Sequence, residues 1–173
     1  SPRTAGFNAL DYADFHPSTL LGTDLLMFIG GGSGGTAGGV KITTAAVLVA
    51  AVVAETRGDS SVAAHGRTVG GGVVRQALVI VSASVTLVAG STMAILFIAP
   101  AFTTDQVAFE VVSAFATVGL STGITADLPA AAQLLLVVLM FAGRVGPLAL
   151  ATALAARTRG RLFDYPEERP FIG

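Results

Sequence analysis

Between Arg75 and Asp105 the chain runs for 29 residues without a charged side chain. A helix needs only about 20 apolar residues to cross the hydrocarbon core of a bilayer. This stretch restricts the fold to those a bilayer accepts, in which each main-chain polar group finds a partner inside the protein. Composition agrees: 53% of the 173 residues are hydrophobic and 12% charged, whereas a soluble domain usually carries about 25% charge. Mean hydropathy is +0.75. A core helix of a soluble protein fits Gln76 to Thr104 poorly. The net charge of −1 and the lack of a basic patch with interleaved aromatics argue against a nucleic-acid partner. With no cysteine there is neither a disulfide framework nor a thiolate metal site. His16 and His65 are too few and too far apart for a zinc centre, and both are expected to face solvent.

A second feature is internal repetition. Thr4-Ala5-Gly6-Phe7 returns as Thr117-Val118-Gly119-Leu120, an offset of 113 positions. The same offset carries Asp14 onto Asp127, Leu26 onto Leu139, Met27 onto Met140, Phe28 onto Phe141 and Gly30 onto Gly143, with no gap. A T-x-G loop followed by an apolar L-M-F-x-G helix is used twice. In a membrane chain this suggests a pore built from repeated loop-and-helix units. The expected fold class is therefore an all-α membrane protein of pore-loop, channel-like repeats, each of helix, re-entrant pore helix, filter loop and helix. The chain begins at Ser1, without Met and with no visible signal peptide. The first T-x-G loop lacks the helix that precedes the second. We therefore expect a C-terminal piece of a longer protein, about one and a half repeats in extent.

The organisation follows. Residues 1–56 hold the first filter loop and a broken helix. Ser18 or Thr19 is the expected cap of its first part, which is apolar to Ile29 except for Asp24. Seven glycines then fall between Gly30 and Gly39, and each costs a helix about 1 kcal/mol relative to Ala. The helix resumes from Val40 to Ala54. Irregular backbone at this depth needs protein or a water-filled cavity beside it. Residues 57–72 form a polar linker. The repeat over 73–161 comprises an outer helix at 73–100, a pore helix at 106–116 capped by Thr104 or Asp105, a filter at 117–121 and an inner helix at 128–156. The pore helix is too short to cross a bilayer of about 30 Å. Residues 162–173 are a tail. Arg57, Arg67 and Arg75 flank the linker, and Arg157, Arg159 and Arg161 open the tail. Both should be cytoplasmic, which places the acidic, Lys/Arg-free segment from Ala101 to Ala130 outside.

Three constellations could carry function. A selective cation filter replaces an ion's water with fixed carbonyl oxygens, and glycine permits the backbone angles that turn a carbonyl inward. We expect such a filter at Thr4, Ala5, Gly6, Phe7, Thr117, Val118, Gly119 and Leu120. One Thr-Val-Gly alone would be an ordinary loop; two at one offset point to a filter. Glu110, within the pore helix, could bind filter amides or raise the local negative potential.

The second constellation is Gly30, Gly31, Gly32, Ser33, Gly34, Gly35, Thr36, Ala37, Gly38 and Gly39, with Lys41 beyond. Gly34 and Gly39 have the spacing of a phosphate-binding loop, but Val40 intrudes before Lys41 and Ile42 stands where Ser or Thr belongs. A pliable plug beneath the filter fits better; a static helix break that allows close packing is the alternative. Third, Arg144 lies mid-helix, where insertion costs about 2.5–3.5 kcal/mol, so it should face the pore or a polar partner. It matches Gly31 under the offset. It could hold the glycine loop through its carbonyls, or pair with an acid and staple helices. Lys41 could share either role or snorkel. Asp24 could attract cations, cap, or make a structural hydrogen bond.

These strings resemble the membrane subunits of the Ktr/Trk superfamily of potassium transporters. The resemblance rests on Arg3-Thr4-Ala5-Gly6-Phe7-Asn8, on Met27 to Thr44, on Phe109-Glu110 with Ser113 to Ser121, on Gly143-Arg144-Val145-Gly146-Pro147-Leu148, and on Tyr165-Pro166-Glu167-Glu168 with Ile172-Gly173. The last two look more like the Ktr branch. The resemblance implies four repeats in one polypeptide, of which this chain is the end of the third and all of the fourth. It implies potassium as the ion at the filter residues, a gating loop at Gly30 to Gly39, and Arg144 as the basic residue facing it. It further implies the N-terminal half of the same polypeptide as a partner, a homodimer in a cell membrane, and a cytosolic ring of nucleotide-binding regulatory subunits. It implies no enzyme activity, and no cofactor in this chain. A secondary transporter with a solute site at the discontinuous helix is the rival expectation.

Overall fold

The computed structural model describes residues 6, 12, 15–32, 38–58, 62–64 and 67–156, with side chains for all of these except 63, 64, 67 and 146–156. Among the described residues five α-helices follow one another: α1 (Pro17–Phe28), α2 (Ile42–Arg57), α3 (Gly71–Ile98), α4 (Thr104–Phe115) and α5 (Ala130–Ala156). Between α2 and α3 lies an antiparallel ribbon of β1 (Val62–Ala64) and β2 (Arg67–Val69), with Val62 paired to Val69 and Ala64 to Arg67. The architecture is mostly helical, as expected. The ribbon falls within the polar linker, to which the sequence reading gave no secondary structure.

Helix ends depart from expectation for identifiable reasons. α3 spans 71–98 rather than 73–100. Glycine is tolerated in a first turn, where main-chain amides have no helical partner, so Gly71 and Gly72 join it. At the other end Ala99 precedes Pro100, whose ring disfavours the α conformation before it. The same effect keeps Leu128 out of α5. Pro129 instead accepts the amides of Ala132 (2.9 Å) and Gln133 (3.1 Å), and the helix starts at Ala130. α4 spans 104–115 rather than 106–116. Its cap is Thr103, not Thr104 or Asp105, and the Thr103 amide donates to Gln106 Oε1 (3.3 Å). α1 is capped by neither Ser18 nor Thr19. His16, exposed as expected, accepts the Ser18 amide at Nδ1 (3.4 Å), and Pro17 occupies the first turn, where its missing N–H costs nothing.

α4 is the hub. Phe109, Val111 and Ala116 are fully buried, and α4 packs against α1, α3 and α5. One face carries Val107, Val111, Ala114 and Phe115 into a core with Ile95 of α3 and Ala132, Leu136 and Leu139 of α5. The other carries Phe109, Val112 and Ala116 into a second core with Leu20 and Met27 of α1 and with Val118 and Leu120. At 12 residues α4 is about 18 Å long, so it stops partway through the thickness that α3 spans. Among the described residues, α3 is the one helix long and apolar enough to cross a membrane by itself; its most apolar 18 residues have a mean hydropathy of 2.0, and only 22% of them are buried within the chain. Phe97 is 91% exposed and Met93 73%. A soluble core helix would hide such side chains, whereas a lipid-facing one displays them.

Gly143 shows how tightly α4 and α5 approach. A Cβ there would overlap the Phe115 carbonyl group. Gly90, on α3, has open space around it. Gly143→Ala should therefore destabilise the fold by about 1–3 kcal/mol through overpacking. Gly90→Ala should be neutral or stabilising by up to about 1 kcal/mol. Thermal unfolding of the detergent-solubilised protein should separate the two variants in that order.

Candidate functional site

The loop after α4 is built by the helix's own carbonyls. The amides of Ala116, Thr117 and Val118 donate back to Val112 (2.8 Å), Ala114 (3.1 Å) and Ser113 (3.0 Å). The chain then extends. Val118 and Leu120 turn into the core, while Gly119 between them stays exposed. Gly119 has φ +82° and Thr117 has φ +52°. The first angle is free for glycine; the second is uncommon for a β-branched residue.

Gly6 also has a positive φ, +68°. A Cβ built on it would lie 3.0 Å from the Val118 carbonyl oxygen and 3.5 Å from that of Gly119. The two T-x-G glycines, 113 positions apart in sequence, thus lie side by side with their backbones in contact. Thr4, Ala5 and Phe7, expected at the same place, lie outside the described residues. Of the remaining expected filter residues, Leu120 is distinct. Its carbonyl accepts the Ser113 hydroxyl at 2.6 Å, which ties it to α4, and the residue lines the cleft described below.

Glu110 takes the first of its two expected roles. It is 5% exposed. Its Oε1 accepts the Thr122 amide (2.9 Å), the Ser121 hydroxyl (2.6 Å) and the Thr122 hydroxyl (3.2 Å); Oε2 accepts the Thr125 hydroxyl (2.8 Å). The carboxylate thus ties the segment after Gly119 back onto α4. Gln133 of α5 ties it again, donating to the carbonyls of Thr125 and Leu128, both at 3.0 Å. The sequence reading assigned no role to Ser113, Thr122, Thr125 or Gln133, and placed Ser121 only at the end of the filter segment. A signal was present: Glu110 and Ser113 are the polar interruptions of an apolar helix, spaced i, i+3, and three hydroxyls follow the T-x-G.

A cleft of about 970 Å³ opens beside this loop. Ser113, Thr117, Gly119, Met140, Phe141 and Arg144 are among its lining. Arg144 therefore shares a cavity with the loop, as expected of a pore-facing cation. It is exposed, and among the described residues it has neither an ion-pair nor a hydrogen-bond partner.

The glycine loop breaks the helix between α1 and α2, and its two ends are pinned together. Gly30 donates to the Val40 carbonyl (2.8 Å), Val40 to that of Phe28 (3.2 Å), and Ile42 to that of Gly31 (3.4 Å). The parallel bridge between Ile29 and Val40 makes the chain re-enter in the direction it left. Ser33, Gly34, Gly35, Thr36 and Ala37 lie outside the described residues. Gly38 and Gly39 are buried. Gly38 donates to Thr117 Oγ1 (2.9 Å) and Gly39 to the Gly143 carbonyl (3.2 Å). The described end of the loop thus meets α5 through the backbone of Gly143, next to Arg144, rather than through the guanidinium. Lys41 caps α2 by its position, with no side-chain bond to the helix start. Asp24 does not cap α1, and among the described residues its buried Oδ1 has no hydrogen-bond partner. It lies mid-helix, on the stripe of Leu20 and Met27.

The fold is that of a helical membrane protein with a short buried helix ending in a glycine-bearing loop. Residues 1–165 match the TrkH family of cation transport proteins, and the chain belongs to that family. Over its whole length it is 40% identical to the Ktr system potassium uptake protein B of Vibrio alginolyticus and 38% identical to that of Bacillus subtilis. It is 37% identical to the potassium/sodium uptake protein NtpJ of Enterococcus hirae, again over the full chain. It spans 38% of the length of the first two relatives and 40% of the third.

Replacing Glu110 by Leu should leave the Thr122 amide buried and unpaired, at a cost of about 1–3 kcal/mol. Glu110→Gln keeps one acceptor oxygen for it and should cost less. Thermal unfolding of full-length protein in detergent should rank wild type above Gln, and Gln above Leu.

Proposed function

We propose that this chain forms part of a potassium uptake pathway across the cell membrane, in which the two T-x-G loops supply carbonyl oxygens to one selectivity filter. The observation that carries the reading is the contact between Gly6 and Gly119 at the edge of a shared cleft. Repeated loops converge on one point when they serve a common axis. Among the described residues the carbonyls of Thr117, Val118 and Gly119 accept no hydrogen bond, and the sequence repeat assigns Thr4, Ala5 and Gly6 to the same filter. The C-terminal end of α4 points its partly negative pole toward the same region, which favours a cation. Three relatives named as potassium or potassium/sodium uptake proteins support potassium as the transported ion.

In this reading the glycine loop from Gly30 to Gly39 is the gate beneath the filter, and Arg144 repels cations in the same cavity until the loop moves. The protein catalyses no covalent step and needs no cofactor in this chain. The filter is completed by further repeats of the same polypeptide. The linker at 57–72 and the tail face the cytoplasm, where a separate regulatory subunit binds; the Ktr system names of the relatives favour such a partner. The native assembly is a membrane homodimer.

Rubidium or potassium uptake by cells carrying the full-length protein tests this. Gly119→Ser puts a side chain at φ +82° against Gly6. It should erode preference for potassium over sodium at least tenfold, a loss of about 1.4 kcal/mol of discrimination. Unaltered preference in a folded variant would remove Gly119 from the filter. Arg144→Ala should raise the basal flux with little change in preference; equal or lower flux would remove the arginine from the gate.

A further inference from the structure

Two consecutive amides of the glycine loop leave that loop to bond other elements. Gly38 N–H reaches Thr117 Oγ1 at 2.9 Å, and Gly39 N–H reaches the Gly143 carbonyl at 3.2 Å. Each acceptor is unusual in its own way. In an unbroken α-helix the Gly143 carbonyl would accept the amide of residue 147, four positions on. Residue 147 is Pro147, which has no N–H. α5 continues through this position, so the Gly143 oxygen is left without its helical donor. An orphaned carbonyl in the membrane interior costs several kcal/mol unless matched. The loop amide matches it.

Thr117 shows the same economy on the other side. At φ +52°, a conformation strained for a β-branched residue, glycine would be the easier choice. Threonine brings a hydroxyl there, and that hydroxyl accepts Gly38 N–H. The fit is close: a Cβ on Gly38 would lie 2.8 Å from Thr117 Oγ1, and one on Gly39 3.3 Å from Ala116.

We infer that Pro147 and Thr117 are positioning residues for the glycine loop: they hold its C-terminal end shut with a two-point latch, one acceptor on the inner helix and one at the base of the T-x-G loop. Pro147 acts by what it lacks. Its missing N–H keeps a helix carbonyl available to an amide from another element, which a regular helix would not do. Thr117 couples the loop to the T-x-G segment, so movement of the loop is felt at the first residue of that segment. The inference rests on the functional reading only for the word gate; the latch itself is a statement about two amides.

Hydrogen–deuterium exchange of the full-length protein in lipid nanodiscs reads those amides directly, in the peptide covering residues 38–41. Pro147→Ala restores an N–H that competes for the Gly143 oxygen, and it favours the helix, so the variant should fold. Thr117→Val removes the acceptor at nearly constant shape. Each should speed exchange of that peptide by about tenfold, the loss of one hydrogen bond, and the double variant by more. Thr117→Ser, which keeps the oxygen, should restore slow exchange. Unchanged exchange in both Pro147→Ala and Thr117→Val overturns the latch. If Thr117→Val does not fold, Pro147→Ala alone decides between the two. Uptake measured on Pro147→Ala, which lies outside the filter, addresses the gate separately: faster exchange with unaltered flux upholds the latch and refutes the loop as the flux-limiting gate, whereas faster exchange with raised basal flux upholds both.

Discussion

The structure depends on one constraint: main-chain amides and carbonyls that leave a helix inside a bilayer must find partners within the protein. Two segments leave helices here, the loop after α4 and the glycine loop between α1 and α2. Among the described residues, each is met by hydrogen bonds. Ser113 and the carbonyls at the end of α4 hold the first part of the filter-side loop, and Glu110 with Gln133 holds the rest. The glycine loop closes on itself at Gly30, Val40 and Ile42, then borrows acceptors from Thr117 and Gly143. Among the described residues, the carbonyls of Thr117, Val118 and Gly119, beside Gly6, accept no hydrogen bond.

Much of this was legible in the sequence. The uncharged run before Asp105 gave α3, and the shortness of the apolar segment after it gave α4 as a helix that does not cross. The offset of 113 positions placed Gly6 beside Gly119 before any coordinates did. It also holds in helix register, since α1 begins at Pro17 and α5 at Ala130. Less legible were the ends. Thr103 won over Thr104 and Asp105 as the cap because Gln106 reaches back to its amide, a relation that pattern reading passes over. His16 capped α1 because Pro17 removed the need for a donor in the first turn. The ribbon at 62–69 had no alternating apolar pattern to announce it. Glu110 stood out as a charge in an apolar helix, but its partners are hydroxyls 11 to 15 positions away, and only the fold brings them together.

The two copies of the repeat share more than their loops. Gly30 and Gly143 occupy equivalent positions, and at each a Cβ would overlap a carbonyl oxygen: that of Gly38 at Gly30, that of Phe115 at Gly143. In one copy the helix then breaks into glycines. In the other it continues, with Arg144 where the first has Gly31. The same close approach thus serves two ends: at Gly30 it pinches a loop shut, and at Gly143 it seats a long helix on α4.

That divergence explains why the pair works better than two identical copies would. Two broken helices would leave two sets of orphaned amides and nothing rigid to receive them. Two continuous helices would offer no movable element and no free donors. Pairing one of each matches donors to acceptors across the cleft. The broken helix supplies the amides of Gly38 and Gly39, and the continuous one, because of Pro147, supplies a carbonyl that its own backbone cannot use. A proline tolerated in a membrane helix is commonly explained by what re-satisfies the bond it breaks. Here the satisfying group comes from the neighbouring repeat, so the defect in one copy and the defect in the other complete each other. An interaction of that kind can be made and broken without unfolding either helix, which is the property a movable element in a bilayer requires.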